Sequence, residues 1–123
     1  MDVSGSFRSD TGTALNLIAD WREVSVSEDT LLLTVTLSLE CYSLYVGDRS
    51  SNIFTFNGED MYFSTEPVEL DGDFGRTVIY VWTRELPASQ PGFDLSILWD
   101  LRGSYSGKEL ETVELSGSYH PDR

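Results

Sequence analysis

The chain has 123 residues, 40% of them apolar, and its 21 acidic against 8 basic residues give a formal net charge of −13. That length and apolar share fit one globular domain with an ordinary core, expected over residues 1–123, and exclude a disordered chain. The negative field repels phosphate backbones and anionic lipid surfaces, so nucleic acid is not an expected partner.

The opening Met1-Asp2-Val3-Ser4-Gly5 has neither a basic nor an apolar stretch and does not read as a signal peptide. No apolar run is long enough to span a bilayer, so membrane insertion is not expected. The expected location is the cytoplasm, or the outside of the cell for a secreted protein whose leader is missing from this sequence.

The first periodic element covers residues 13–21, with Leu15, Leu17, Ala19 and Trp21 in phase. Leu15, Ile18, Ala19 and Arg22 also fit a helix face, with Asp10 or Thr11 as cap. A strand is preferred because Val24 and Val26 continue the alternation after a one-residue slip, the signature of a β-bulge. Ser27-Glu28-Asp29 then reads as a polar turn into the most regular strand of the chain, residues 31–41. There every odd position from Leu31 to Cys41 is apolar and every even one except Leu32 is polar. Cys41 is the single cysteine, which rules out an intramolecular disulfide, and its phase marks it as a small buried hydrophobe.

A loop at residues 47–52 leads to a short strand at 53–56. Asn57-Gly58 then carries the sharpest hairpin signal, since both central residues of a type I′ turn need positive φ. The partner strand is 61–64, followed by an acidic turn around Glu69-Leu70-Asp71-Gly72-Asp73. Residues 77–83 form a strand that is apolar on both faces. Pro87-Ala88-Ser89-Gln90-Pro91-Gly92 reads as a loop. Leu95, Ile97, Trp99 and Leu101 alternate again, and a last strand runs through Val113, Leu115 and Gly117 toward Tyr119. Ser4-Gly5-Ser6-Phe7 is echoed by Ser116-Gly117-Ser118-Tyr119, which suggests that the two ends of the chain meet. Seven or eight short strands with turns between them and no clear helix predict an antiparallel β-sandwich of immunoglobulin-like type.

Three groups of residues raise the question of chemistry. Asp10-Thr11-Gly12 matches the Asp-Thr-Gly core of aspartic proteases, where two aspartates share a proton and activate water. Leu44-Tyr45-Val46-Gly47 resembles a later apolar-apolar-glycine element of the retroviral-type members, which would act as dimers. Arg8 and Ser9 stand where that family has apolar residues, and Asp-Thr-Gly is also ordinary turn chemistry. Glu69, Asp71 and Asp73 gather hard oxygen ligands suited to calcium, though without EF-hand spacing. The only histidine, His120, lies near the C-terminus beside a proline and reads as a solvated residue.

The aromatic residues are the other route to function. Trp21 and Trp99 are in phase with core positions. In Val78-Ile79-Tyr80-Val81-Trp82, either Ile79 and Val81 or Val78, Tyr80 and Trp82 can face the core. The first phase would expose Tyr80 and Trp82 as a ligand-binding pair.

The passages Ser6-Phe7-Arg8-Ser9-Asp10-Thr11-Gly12-Thr13-Ala14-Leu15-Asn16-Leu17 and Leu37-Ser38-Leu39-Glu40-Cys41-Tyr42-Ser43-Leu44, with Tyr105-Ser106-Gly107-Lys108-Glu109-Leu110, resemble segments of short, uncharacterised bacterial all-β proteins. The resemblance implies a single β domain and transfers no catalytic residue. The expectation is therefore a non-catalytic binding module with no catalytic residue, metal or cofactor. A protein is the expected partner and a glycan the alternative, and the oligomeric state is left open.

Overall fold

The computed structural model describes residues 3–89, 92–105 and 107–120. Gln90 and Pro91 of the expected loop, and the opening Met1 and Asp2, lie outside the described residues. The strands in chain order are β1 (Val3–Arg8), β2 (Asn16–Ser25), β3 (Thr30–Cys41), β4 (Leu44–Val46), β5 (Arg49–Phe56) and β6 (Glu59–Thr65). They continue with β7 (Val68–Leu70), β8 (Gly75–Pro87), β9 (Phe93–Trp99), β10 (Gly103–Tyr105), β11 (Lys108–Leu110) and β12 (Val113–Tyr119). Eight of them form two four-stranded sheets, β1-β2-β3-β8 and β12-β9-β5-β6, with every pairing antiparallel. The four shortest form two ribbons, β4-β7 and β10-β11. This is the expected all-β antiparallel sandwich, with the ribbons as an addition.

The alternation in β3 does what its period requires. Leu31, Leu33, Val35, Leu37, Leu39 and Cys41 are buried, while Thr34 and Thr36 on the other face are half-buried. Asn57 and Gly58 both take positive φ, 49° and 85°, and close the β5–β6 hairpin as the sequence signals.

The expected bulge in β2 does not exist. Its register to β3 runs without a shift from Asn16↔Glu40 to Ser25↔Leu31. The inward position after Trp21 is Glu23, 2% exposed, and Val24 and Val26 therefore face outward. Glu23 is tolerated there because its Oε2 accepts the Gly92 N–H at 3.3 Å. The bulge lies in β8 instead, where Leu37 pairs Tyr80 and Ser38 pairs Val78, leaving Ile79 as the extra residue. Pro87, expected in a loop, is the last residue of β8.

Between the sheets, ring contacts run from one lateral side to the other. Tyr119 lies 4.6 Å from Trp21, Trp21 lies 5.2 Å from Phe93, and Phe93 lies 5.9 Å from Phe56. Trp82 sits 5.0 Å from Phe56 and 4.7 Å from Phe54, and Tyr80 stacks on Phe63 at 4.4 Å. Each such pair adds about 0.5–1.5 kcal/mol beyond the area it buries. The two echoed glycines make the first part of this run possible. A Cβ on Gly5 would stand 2.6 Å from Trp21, and one on Gly117 would stand 2.4 Å from Phe7. Because β1 and β12 belong to opposite sheets, Phe7 across Gly117 closes that side of the sandwich. Among the described residues the buried Trp21 Nε1 has no hydrogen-bond partner, at a cost of about 1–3 kcal/mol that the ring contacts offset.

Candidate functional site

The opposite lateral side lies between β8 and β6. Among the described residues the backbone ladder of β8 is with β3 alone and that of β6 with β5 alone, so both are edge strands, as β1 and β12 are on the other side. Val35↔Trp82 and Leu37↔Tyr80 are register partners, which puts Tyr80 and Trp82 on the inward face of β8. Neither phase read from the sequence holds throughout: Tyr80 and Trp82 face inward as in the second, but the bulge at Ile79 turns Val78 out to solvent. Both rings are half-buried and fill the gap between the two edges. Arg84, in register with buried Leu33, continues their row. Its guanidinium lies 5.0 Å from the Trp82 ring centroid and 5.5 Å from that of Phe56. There it donates to Glu59 Oε1 at 3.3 Å. β8 turns Arg76, Val78, Val81, Thr83, Glu85 and Pro87 to solvent, and of these the two valines, 56% and 54% exposed, are the large apolar ones. The binding surface anticipated at Tyr80 and Trp82 is thus a half-buried aromatic row, flanked by an exposed valine pair on a free edge.

Asp10 sits in the β1–β2 loop, exposed, with its Oδ1 accepting the Gly12 N–H at 3.2 Å. Gly12 takes φ +76°, and Thr11 Oγ1 donates to the Leu15 carbonyl at 2.7 Å. In this geometry the motif acts as a turn. Glu69 lies on β7, opposite Tyr45 of β4, while Asp71 and Asp73 are exposed in the loop that follows. Among the described residues no three acidic, histidine or cysteine side chains converge on a possible metal position. Cys41 is fully buried, and desolvation pushes its thiol pKa from 9.0 up to about 11, which keeps it protonated and poorly nucleophilic.

Two groupings were not legible in the sequence. On the outer face of the second sheet, Asp94 Oδ1 accepts Ser118 Oγ at 2.7 Å and contacts His120 Nε2 at 2.9 Å. Those two hydrogen bonds, Ser118 first, hold the Asp94 carboxyl below its usual pKa. The serine bonds to the aspartate and not to the imidazole, so the three do not form a nucleophile–base relay. At the end of the sandwich that carries both ribbons, Tyr42, Tyr45 and Phe74 are all exposed, and Tyr42 meets Phe74 edge-on at 5.0 Å. Tyr42 and Phe74 are far apart in sequence, and the β4-β7 ribbon brings their loops together.

Fold and surfaces together define an all-β sandwich with four edge strands, β1 and β12 on one lateral side and β8 and β6 on the other. Comparison with known proteins adds no relative: no family model, no curated protein and no solved structure matches the chain.

Proposed function

We propose that this chain is a non-catalytic protein-recognition module, a sandwich of immunoglobulin-like type that takes an extended segment of a partner along the β8 edge beside Tyr80 and Trp82. The observation that carries this reading is the free edge itself. A strand of 13 residues with one hydrogen-bonded neighbour presents unpaired N–H and C=O groups to any added strand. Val78 and Val81 offer apolar contacts on the outward face of that edge, and the aromatic row backs it from inside. The acidic surface favours a basic partner. The immunoglobulin-like assignment is supported by two four-stranded antiparallel sheets facing each other, with loops gathered at both ends.

Selection from a random-peptide display library tests this, run in parallel on the wild type and on a Val78→Lys/Val81→Lys variant. Edge-binding predicts enriched extended peptides that lose affinity for the variant while its melting temperature holds. Peptides that bind both proteins equally, or no enrichment at all, would contradict it.

A glycan is the second reading, favoured by one feature of the outer face of the β12-β9-β5-β6 sheet. Thr55, Ser96 and Ser116 stand in one cross-strand row over a shallow depression of about 310 Å³, and Tyr62 in the neighbouring row is 75% exposed. A melting screen against oligosaccharides checks it. Ligand at about a hundred times its Kd would raise the midpoint by several degrees.

A further inference from the structure

The ribbon end of the sandwich carries a second surface with its own chemistry. The β4-β7 ribbon pairs Leu44 with Leu70, Tyr45 with Glu69 and Val46 with Val68. Two further bonds hold the adjoining loops: the Gly72 N–H donates to Ser43 Oγ at 2.9 Å, and the Tyr42 N–H donates to the Tyr105 hydroxyl at 2.8 Å. The rings this frame presents to solvent are Tyr42, Tyr45 and Phe74, 53%, 67% and 47% exposed. Tyr42 and Tyr45 border a shallow depression of about 520 Å³ floored by Leu44 and Tyr105. Three exposed aromatic rings on the β4-β7 ribbon and its flanking loops are not needed by the core, which is complete without them.

The segments that carry and border these rings are acidic. Residues 42–46, 68–75 and 103–105 contain Glu69, Asp71 and Asp73 and no lysine or arginine. Three cations border these segments: Arg102 pairs with Asp100, Arg76 with Asp20, and Lys108, the register partner of Tyr105, donates to the Thr11 carbonyl. The carboxylates of Asp71 and then Glu69 raise the Tyr45 phenol pKa, a mark of the negative potential at the ring. Aromatic faces rimmed by carboxylates attract organic cations twice over, through the ring quadrupole and through direct charge.

We propose that this tip binds an arginine- or lysine-bearing segment of a partner protein, with a side-chain cation over the faces of Tyr42, Tyr45 or Phe74 and the carboxylates of Glu69, Asp71 and Asp73 around it. The proposal goes beyond the β8 edge and stands without it. Aromatic contact makes it distinct from the diffuse attraction that any polycation feels toward a chain of net charge −13.

The test is titration of an octa-arginine peptide followed by amide chemical shifts, with an octaglutamate peptide as control. Shifts are expected in residues 42–46 and 69–75, and affinity should fall by about tenfold or more in Tyr45→Ala and in Phe74→Ala. Removing charge at the far end of the sandwich, with Glu28→Gln/Asp29→Asn, should change affinity by less than about twofold. Equal weakening by all three variants, shifts spread over the whole acidic surface, or no binding would overturn the proposal. Tyr45 is the decisive position, because its ring is two-thirds exposed and its removal leaves the Tyr42–Phe74 contact in place. Retention of octa-arginine binding by Val78→Lys/Val81→Lys separates this surface from the edge.

Discussion

The Phe7 ring of β1 lies across the backbone of Gly117 in β12, so close that a Cβ at position 117 would stand 2.4 Å from its Cδ1. Gly5 holds the same relation to Trp21 at 2.6 Å. Gly117→Ala and Gly5→Ala are each expected to lower stability by about 1–3 kcal/mol through overpacking. Gly103→Ala, whose added Cβ meets nothing closer than 3.9 Å, should stay within about 0.5 kcal/mol. Urea midpoints of the three variants check this.

Asn57 has two tasks in the β5–β6 turn. It accepts φ 49°, and its Oδ1 takes the Asp94 N–H at 2.8 Å, tying the hairpin to β9. Asn57→Ala loses both and should cost about 2 kcal/mol, whereas Asn57→Gly keeps the backbone and should cost about 1. Equal costs for the two substitutions would show that only the side-chain bond matters.

Burial holds the Cys41 thiol neutral, which makes stability depend on alkaline pH. Its folded pKa, about 11, stands above the ordinary 9.0. Below pH 9 the thiol is protonated in both states, and the stability is fully present. As pH rises from 9 toward 11 the unfolded chain gives up its proton first, and about 2–3 kcal/mol is lost. Denaturation curves across that window should slope downward for the wild type and more gently for Cys41→Ala. Thiol reagents should leave Cys41 unlabelled until denaturant is added.

Trp82→Ala removes contacts with Phe54 and Phe56 at 4.7 and 5.0 Å and should cost about 2–4 kcal/mol. Val81→Lys changes an exposed outward side chain and should stay within about 0.5 kcal/mol. Valine variants are therefore the clean probes of edge binding, and a Trp82→Ala variant with an unchanged melting temperature would contradict the packing described above.

The sequence reveals most where polar and apolar residues alternate cleanly. β3 and the Asn57-Gly58 turn are legible because each has a single physical solution. β8 is not, since Val78-Ile79-Tyr80-Val81-Trp82 has no polar residue to mark a phase, and only its pairing with β3 places the bulge at Ile79. In β2 a charged residue misleads: Glu23 occupies a core position, so the pattern reads as a slip where the ladder is continuous. β1 carries serine and glycine in place of alternating apolar residues and shows itself only through its echo of β12. The three-residue strands of the ribbons are too short for any period. Without the β4-β7 pairing, nothing in the chain links Tyr42 and Tyr45 to Phe74.

The central claim is that β8 offers a free edge to an extended partner. Amide hydrogen exchange along β8, with and without a peptide selected on the wild type, tests it most directly. Strand addition predicts that amides within 78–86 slow by about tenfold or more while those of β2 and β5 are unchanged. Unchanged exchange along β8 in a protein that has bound the peptide would contradict the claim and place recognition on another surface.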